Sequence, residues 1–193
     1  MPFTLAAPGH SELVIKKSRF LGCVEPVSGR EQAVARVAEL RAQHPDARHV
    51  CWALMAGGHS AANDDGEPGG TAGRPMLDVL RHQDLEGVLA TVVRYFGGVK
   101  LGAGGLVRAY TDAVAQALRG VDRVPLIRMR VLQITVPYAF EGVLRREVEA
   151  YGGVIEDVRH GAGVEMRVEL AEDAATSLVS RIDDATLGRA VWG

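Results

Sequence analysis

Residues 88–96 form a nearly unbroken apolar run rich in β-branched side chains, and the run stops at Gly97-Gly98. A strand with one wet face alternates apolar with polar, so this pattern marks a strand buried on both faces. Downstream, Leu106, Val107, Tyr110, Ala113, Val114, Ala117 and Leu118 recur at i, i+3, i+4 and i+7, which predicts a helix from near Gly105 to Gly120. Strand, glycine loop and helix together set a mixed α and β frame for this part of the chain.

The flanking segments fit that frame. Residues 11–27 read as two short strands around a basic turn, Lys16-Lys17. Ser28 and Glu31 have the spacing of a capping box. The helix that follows carries Ala33, Val34, Val37 and Leu40 on one face and stops before Pro45. Residues 50–55 have the length and composition of a strand, residues 56–74 read as a long glycine-rich surface loop, and Pro75 opens a short helix over 76–81. Beyond Gly120 the pattern changes. Strands are predicted at 130–138, 154–159, 164–170 and 189–192, with helices at 140–151 and 172–182 and a hairpin turn at His160-Gly-Ala-Gly. The order β-α-β-β-α-β is ferredoxin-like. Pro125 breaks the pattern near residues 121–128, so the expectation is an α+β chain of two domains, 1–122 and 123–193.

Composition narrows the function. The formal net charge is −2, so bulk charge cannot drive nucleic-acid binding and a local basic patch is required. Two cysteines, Cys23 and Cys51, are too few for a disulfide scaffold and fit a reducing compartment. No apolar run reaches a membrane span, and the N-terminus lacks the positive region of a secretory signal. A cytoplasmic address without membrane association is expected.

Two loops carry candidate chemistry. In the first, Gly97, Gly98, Gly102, Gly104 and Gly105 lead into the long helix, whose first N–H groups lack intrahelical acceptors. Arg94, Lys100 and Arg108 add charge around them, which suits an anion, above all phosphate, and Tyr95 and Phe96 offer surfaces to bases. The spacing is neither a Walker loop nor a dinucleotide fingerprint. The competing reading is a tight connection with its tyrosines in the core and its cations solvated. In the second loop, Asp64, Asp65 and Glu67, with Thr71 and Arg74, form either a set of turns, a Mg²⁺ or acid–base group, or counter-charges that neutralise the first loop. His49 and Cys51 share one face of their strand and Trp52 the other, but adjacency on a strand does not supply an attack geometry. No zinc spacing, metal site or cofactor is read from the sequence.

The segments Ser18-Arg-Phe-Leu-Gly22, His44-Pro-Asp-Ala-Arg-His49, Asp64-Asp-Gly-Glu-Pro68, Gly70-Thr-Ala-Gly-Arg-Pro75 and the whole of residues 94–110 resemble the YigZ/Impact family. The resemblance covers about residues 10–120, and the C-terminal part resembles the small ferredoxin-like domain of bacterial members. It implies an N-terminal domain similar to domain 2 of a small-subunit ribosomal protein and to domain IV of elongation factor G. It also implies a link to translation, which eukaryotic relatives regulate. The resulting expectation is a cytosolic regulator that binds RNA or the ribosome through the basic glycine loop, with Lys16, Lys17 and Arg19 as outlying helpers. A small-molecule enzyme using the same loop for a phosphorylated substrate, and a module that binds a protein partner, are the alternatives. Oligomeric state is not read from the sequence.

Overall fold

The structure, a computed structural model, describes residues 2–193. The chain divides into two compact units, the first ending at Leu126 and the second running from Ile127 to Gly193. In chain order the first holds β1 (Phe3–Leu5), β2 (Gly9–Ile15), β3 (Ser18–Pro26), α1 (Arg30–Gln43), β4 (His49–Ala56), β5 (His59–Asn63), α2 (Gly73–His82), β6 (Val88–Tyr95), α3 (Ala103–Ala117) and β7 (Arg123–Pro125). Its main sheet has the order β2-β3-β6-β4-β5 and is antiparallel throughout.

The apolar run that dominates the sequence is the central strand, β6. Val88, Ala90 and Val92 pack with Phe20, Cys51 and Ala53 against α2 and α3, while Leu89 and Val93 pack with Val50 and Leu54 against Ala33, Val37 and Leu40 of α1. Helices therefore cover both faces, which is why this strand shows no polar alternation.

Five local expectations need correction. The segment 56–74 is not all loop, because Gly57 and Gly58 (φ +64° and +75°) turn the chain into β5. Positive φ at both turn positions is what a two-residue hairpin requires, and β5 has almost no buried side chain to signal it. The capping box does not form: Gly29 precedes α1, and the Ser28 N–H and hydroxyl both donate to Gln32 Oε1 (2.7 and 3.0 Å) rather than pairing with Glu31. Val34 is 52 % exposed and lies off the packed face of α1. Helix α2 begins at Gly73, before Pro75, because its first N–H groups are capped from a distance. Pro125, expected only to break the pattern, ends β7, which pairs with β1 (Phe3↔Pro125) in a two-stranded sheet where a missing N–H is tolerated.

The second unit runs β8 (Met129–Val136), α4 (Glu141–Ala150), β9 (Val154–His160), β10 (Val164–Ala171), α5 (Glu172–Ala185) and β11 (Val191–Trp192). Its antiparallel sheet has the order β11-β8-β10-β9. Leu132, Ile134 and Val136 of β8 and alternate residues of β10 face Leu144, Val148, Leu178 and Ile182 of the two helices. The period-2 strands and amphipathic helices are those the sequence predicts, and the order is the ferredoxin-like β-α-β-β-α-β. The whole is a mixed α+β chain of two units.

Candidate functional site

Antiparallel register sets the first three residues of the site. Arg94 of β6 is the direct partner of Phe20 on β3 and of His49 on β4, so all three side chains stand in one row on the face covered by α3. A buried guanidinium is costly unless it meets a counter-charge and hydrogen-bond acceptors. Glu67 meets it. Its Oε1 accepts from Arg94 Nη1 (2.5 Å) and from the Tyr110 hydroxyl (2.7 Å), and its Oε2 lies 3.7 Å from His49 Nε2. Arg94 Nη2 donates to Ser18 Oγ (3.3 Å), which also accepts the Gly97 N–H (3.1 Å). The guanidinium carbon sits 5.3 Å and 5.6 Å from the ring centres of Phe20 and Phe96. At 4 % exposure, Arg94 is a core residue whose charge is already neutralised.

The remaining residues of the acidic loop also face inward. Asp64 Oδ1 accepts from the N–H groups of Ala72 (3.1 Å) and Gly73 (2.8 Å), and its Oδ2 from Gly70 N–H (2.8 Å), which closes the N-terminus of α2. Burial pushes this carboxyl up, but the three backbone donors outweigh it and hold Asp64 below the ordinary carboxylate value. Asp65 accepts from Val50 N–H and from Arg41 Nη2, both at 2.7 Å. Thr71 is buried and donates its hydroxyl to the Pro68 carbonyl (2.6 Å). Arg74 is exposed on α2, in a separate groove with Pro75 and Val107. Among the described residues no three His, Cys, Asp or Glu side chains are grouped to hold a metal.

One contact of this loop sets a tautomer. The Asp65 carbonyl can only accept, and it lies 2.7 Å from His49 Nδ1, so that nitrogen carries the hydrogen. His49 Nε2 is then left facing Glu67. Cys51, two residues along, is no nucleophile: burial pushes its thiol up to about 12, and its Sγ donates to the Asp64 carbonyl (3.0 Å). Burial likewise raises the Tyr110 phenol far above its usual range.

Above this network lies a cavity of about 450 Å³, where the two loops meet. Its floor is His49, Glu67, Arg94 and Leu106, all buried, and its rim includes Arg48, Phe96, Lys100, Gly102 and Ala103, all exposed. The first intrahelical bond of α3 runs from Leu106 N–H to the Gly102 carbonyl, and no side chain caps this end. The N–H groups of Ala103, Gly104 and Gly105 therefore have no intrahelical acceptor. Lys100 and Arg48 make no ion pair among the described residues; Arg48 rests 5.3 Å from the centre of the Phe96 ring, which is 41 % exposed. Gly97 passes so close to the β2–β3 turn that a Cβ there would lie 2.0 Å from the Lys17 carbonyl carbon. Only glycine allows that approach, and it sets the Lys16-Lys17 turn beside the glycine loop.

The sequence-derived residues thus separate. Phe96, Lys100 and Gly102 line the cavity with free surface, and Gly104 and Gly105 form the first turn of α3. Gly97 and Gly98 shape the approach, Gly98 with φ +83°. Arg108 is exposed on α3 but does not line the cavity. Tyr95 points to the opposite face, its hydroxyl 2.7 Å from His44 Nδ1, and so cannot act beside Phe96. Arg19 pairs with Glu12 (2.6 Å). Arg48 is the residue missed, since no local pattern marks it, and His49 was weighed in the sequence only beside Cys51 as a nucleophile pair, not as part of the cavity floor.

Residues 16–118 match the Impact N-terminal domain, and residues 134–189 match a domain of unknown function, DUF1949. The chain is 35 % identical over 190 residues to the IMPACT family member YvyE of Bacillus subtilis, covering 97 % of this chain and 88 % of that protein. It is 50 % identical over 119 residues to the IMPACT family member YigZ of Escherichia coli, covering 59 % and 58 % respectively. A crystal structure of a hypothetical protein superposes with a TM-score of 0.77 at 35 % identity, covering 99 % of this chain and 95 % of that one.

Proposed function

This chain belongs to the IMPACT family, and from that premise we propose that it is a translation-linked regulator that binds RNA through its phosphates. The observation that carries the reading is the cavity mouth, where Arg48 and Lys100, two cations without an ion-pair partner among the described residues, flank an uncapped helix N-terminus beside an exposed Phe96. Helix dipole and free N–H groups favour anions there, and the aromatic ring gives a base a surface to stack on. Lys16, Lys17 and Arg108 lie further out as exposed cations, while Arg94 is held on Glu67 and adds no free charge.

Anisotropy titration of a labelled single-stranded RNA across a salt series tests this. Each phosphate contact on a single strand contributes about −0.7 to the log–log slope, so removing two in R48A/K100A should flatten it by about 1.4. Both side chains are exposed, so the fold should survive. Binding that ignores salt, or that is identical in the variant, overturns the reading.

A second reading has its own observation. The two loops meet in a single concave site whose volume falls in the range of about 300–1,000 Å³ usual for small ligands. An enzyme acting on a phosphorylated small molecule would hold the phosphate at the same mouth, with His49 Nε2 positioned to carry a proton. Thermal-shift screening with nucleotides and sugar phosphates separates the two: a strong small-molecule hit without RNA binding favours the enzyme.

A further inference from the structure

We propose that the cavity recognises a terminal phosphate monoester, the phosphorylated end of an RNA or of a nucleotide, rather than the internal diesters of a strand; this rests on the phosphate-binding reading above. The shape argues for an end. The walls descend from exposed Arg48, Lys100 and Gly102 to a floor of buried side chains, His49 at 9 % exposure, Glu67 at 8 % and Arg94 at 4 %. A continuous backbone crossing the rim would leave that floor untouched, whereas a chain terminus can enter and reach it.

Charge argues the same way. At the floor, Glu67 and Arg94 neutralise each other, which leaves Arg48 and Lys100 as the two charges of the cavity without an ion-pair partner among the described residues. An internal diester carries one negative charge, while a monoester carries about −1.5 to −2 at pH 7 and presents three strong acceptor oxygens. Two cations and a set of free N–H groups therefore match the monoester in charge and in number of donors.

His49 adds an observation independent of the helix end. Its ring is buried and its Nδ1–H is engaged by the Asp65 carbonyl. Its Nε2 has no hydrogen-bond partner among the described residues, since Glu67 Oε2 at 3.7 Å is beyond hydrogen-bond reach. Among the described residues the buried side-chain nitrogen without a hydrogen-bond partner is Arg94 Nε, whereas His49 lines the cavity and its Nε2 faces Glu67 Oε2 without bonding to it. A phosphate oxygen entering the cavity can meet Nε2, either by accepting from its protonated form or, as a protonated monoester, by donating to it. Nothing in an internal diester can donate.

The test compares four probes on the intact protein: a labelled oligouridylate with a 5′-phosphate, the same strand with a 5′-hydroxyl, the same strand with a 3′-phosphate, and adenosine 5′-monophosphate as competitor. The expected result is binding at least about tenfold tighter for a phosphorylated end, corresponding to one further charge-assisted contact, with the preference abolished in K100A and R48A. Competition by the mononucleotide assigns the end to a nucleotide, and its failure assigns it to RNA; either outcome supports the monoester. Equal affinity for phosphorylated and hydroxyl ends overturns this inference while leaving RNA binding intact. No binding of any probe overturns both. His49→Gln, which keeps a donor near Asp65 but removes the ring nitrogen, should shrink the preference for a phosphorylated end; an undiminished preference removes His49 from the recognition.

Discussion

Helices α2 and α3 pack on the same face of the same sheet, and each is entered from a glycine-rich loop, yet their N-termini have opposite fates. The end of α2 is filled from within: Asp64, eight and nine residues upstream, takes the N–H groups of Ala72 and Gly73. At α3 the end is open, with Gly102 at the N-cap and, among the described residues, no side chain reaching back. Glycine loops before helices are therefore not equivalent as anion sites. The difference lies in whether the chain provides its own carboxylate, and here all three acidic residues of residues 64–67 are engaged with other groups of the fold.

The largest test of that contrast is Glu67→Ala, which leaves Arg94 buried without a counter-charge. It should destabilise the first unit by about 3–5 kcal/mol in urea denaturation, and the double variant Glu67→Leu/Arg94→Met should recover part of the loss. A cost below about 1 kcal/mol would mean that Arg94 is not held by Glu67 and is free to serve the cavity. Next in size is Asp64→Ala, which uncaps α2 at a cost of about 0.5–2 kcal/mol. Because the folded carboxyl titrates below its ordinary value of 3.8, its contribution is full above that pH and is lost as the pH falls through the lowered folded value. The gap between wild type and D64A should accordingly close in strong acid; a gap that persists there would assign the effect to packing. The smallest effect is the most telling about α3. Gly104 has open space around it, and Gly104→Asp would place a carboxylate in the first turn. It should raise stability by about 0.3–1 kcal/mol while weakening phosphate binding, and a gain in both would deny that the open end binds anions.

Much of this was legible in the sequence, and the failures share a cause. Residues 88–96, the helix after Gly105 and the β-α-β-β-α-β order all follow from periodicity, which is a local record of which faces are buried. The hairpin strand β5 left no such record, since its side chains are mostly exposed. At the site, the cavity-lining glycines and Lys100 were visible as a motif, and so was the possibility that the acidic loop neutralises the basic one. Which cation it neutralises was not visible, because Arg94 and Glu67 are 27 residues apart and meet only through strand register.

By itself the sequence determined the layers, the position of the doubly buried strand, and the flexible glycine backbone that lets two loops approach each other. Tertiary structure alone decided which charges stay free. Register placed Arg94 and His49 side by side on an inward face, and the low dielectric there made pairing with Glu67 obligatory. Lys100 and Arg48, with water beside them, faced no such demand and kept their charge for whatever enters the cavity.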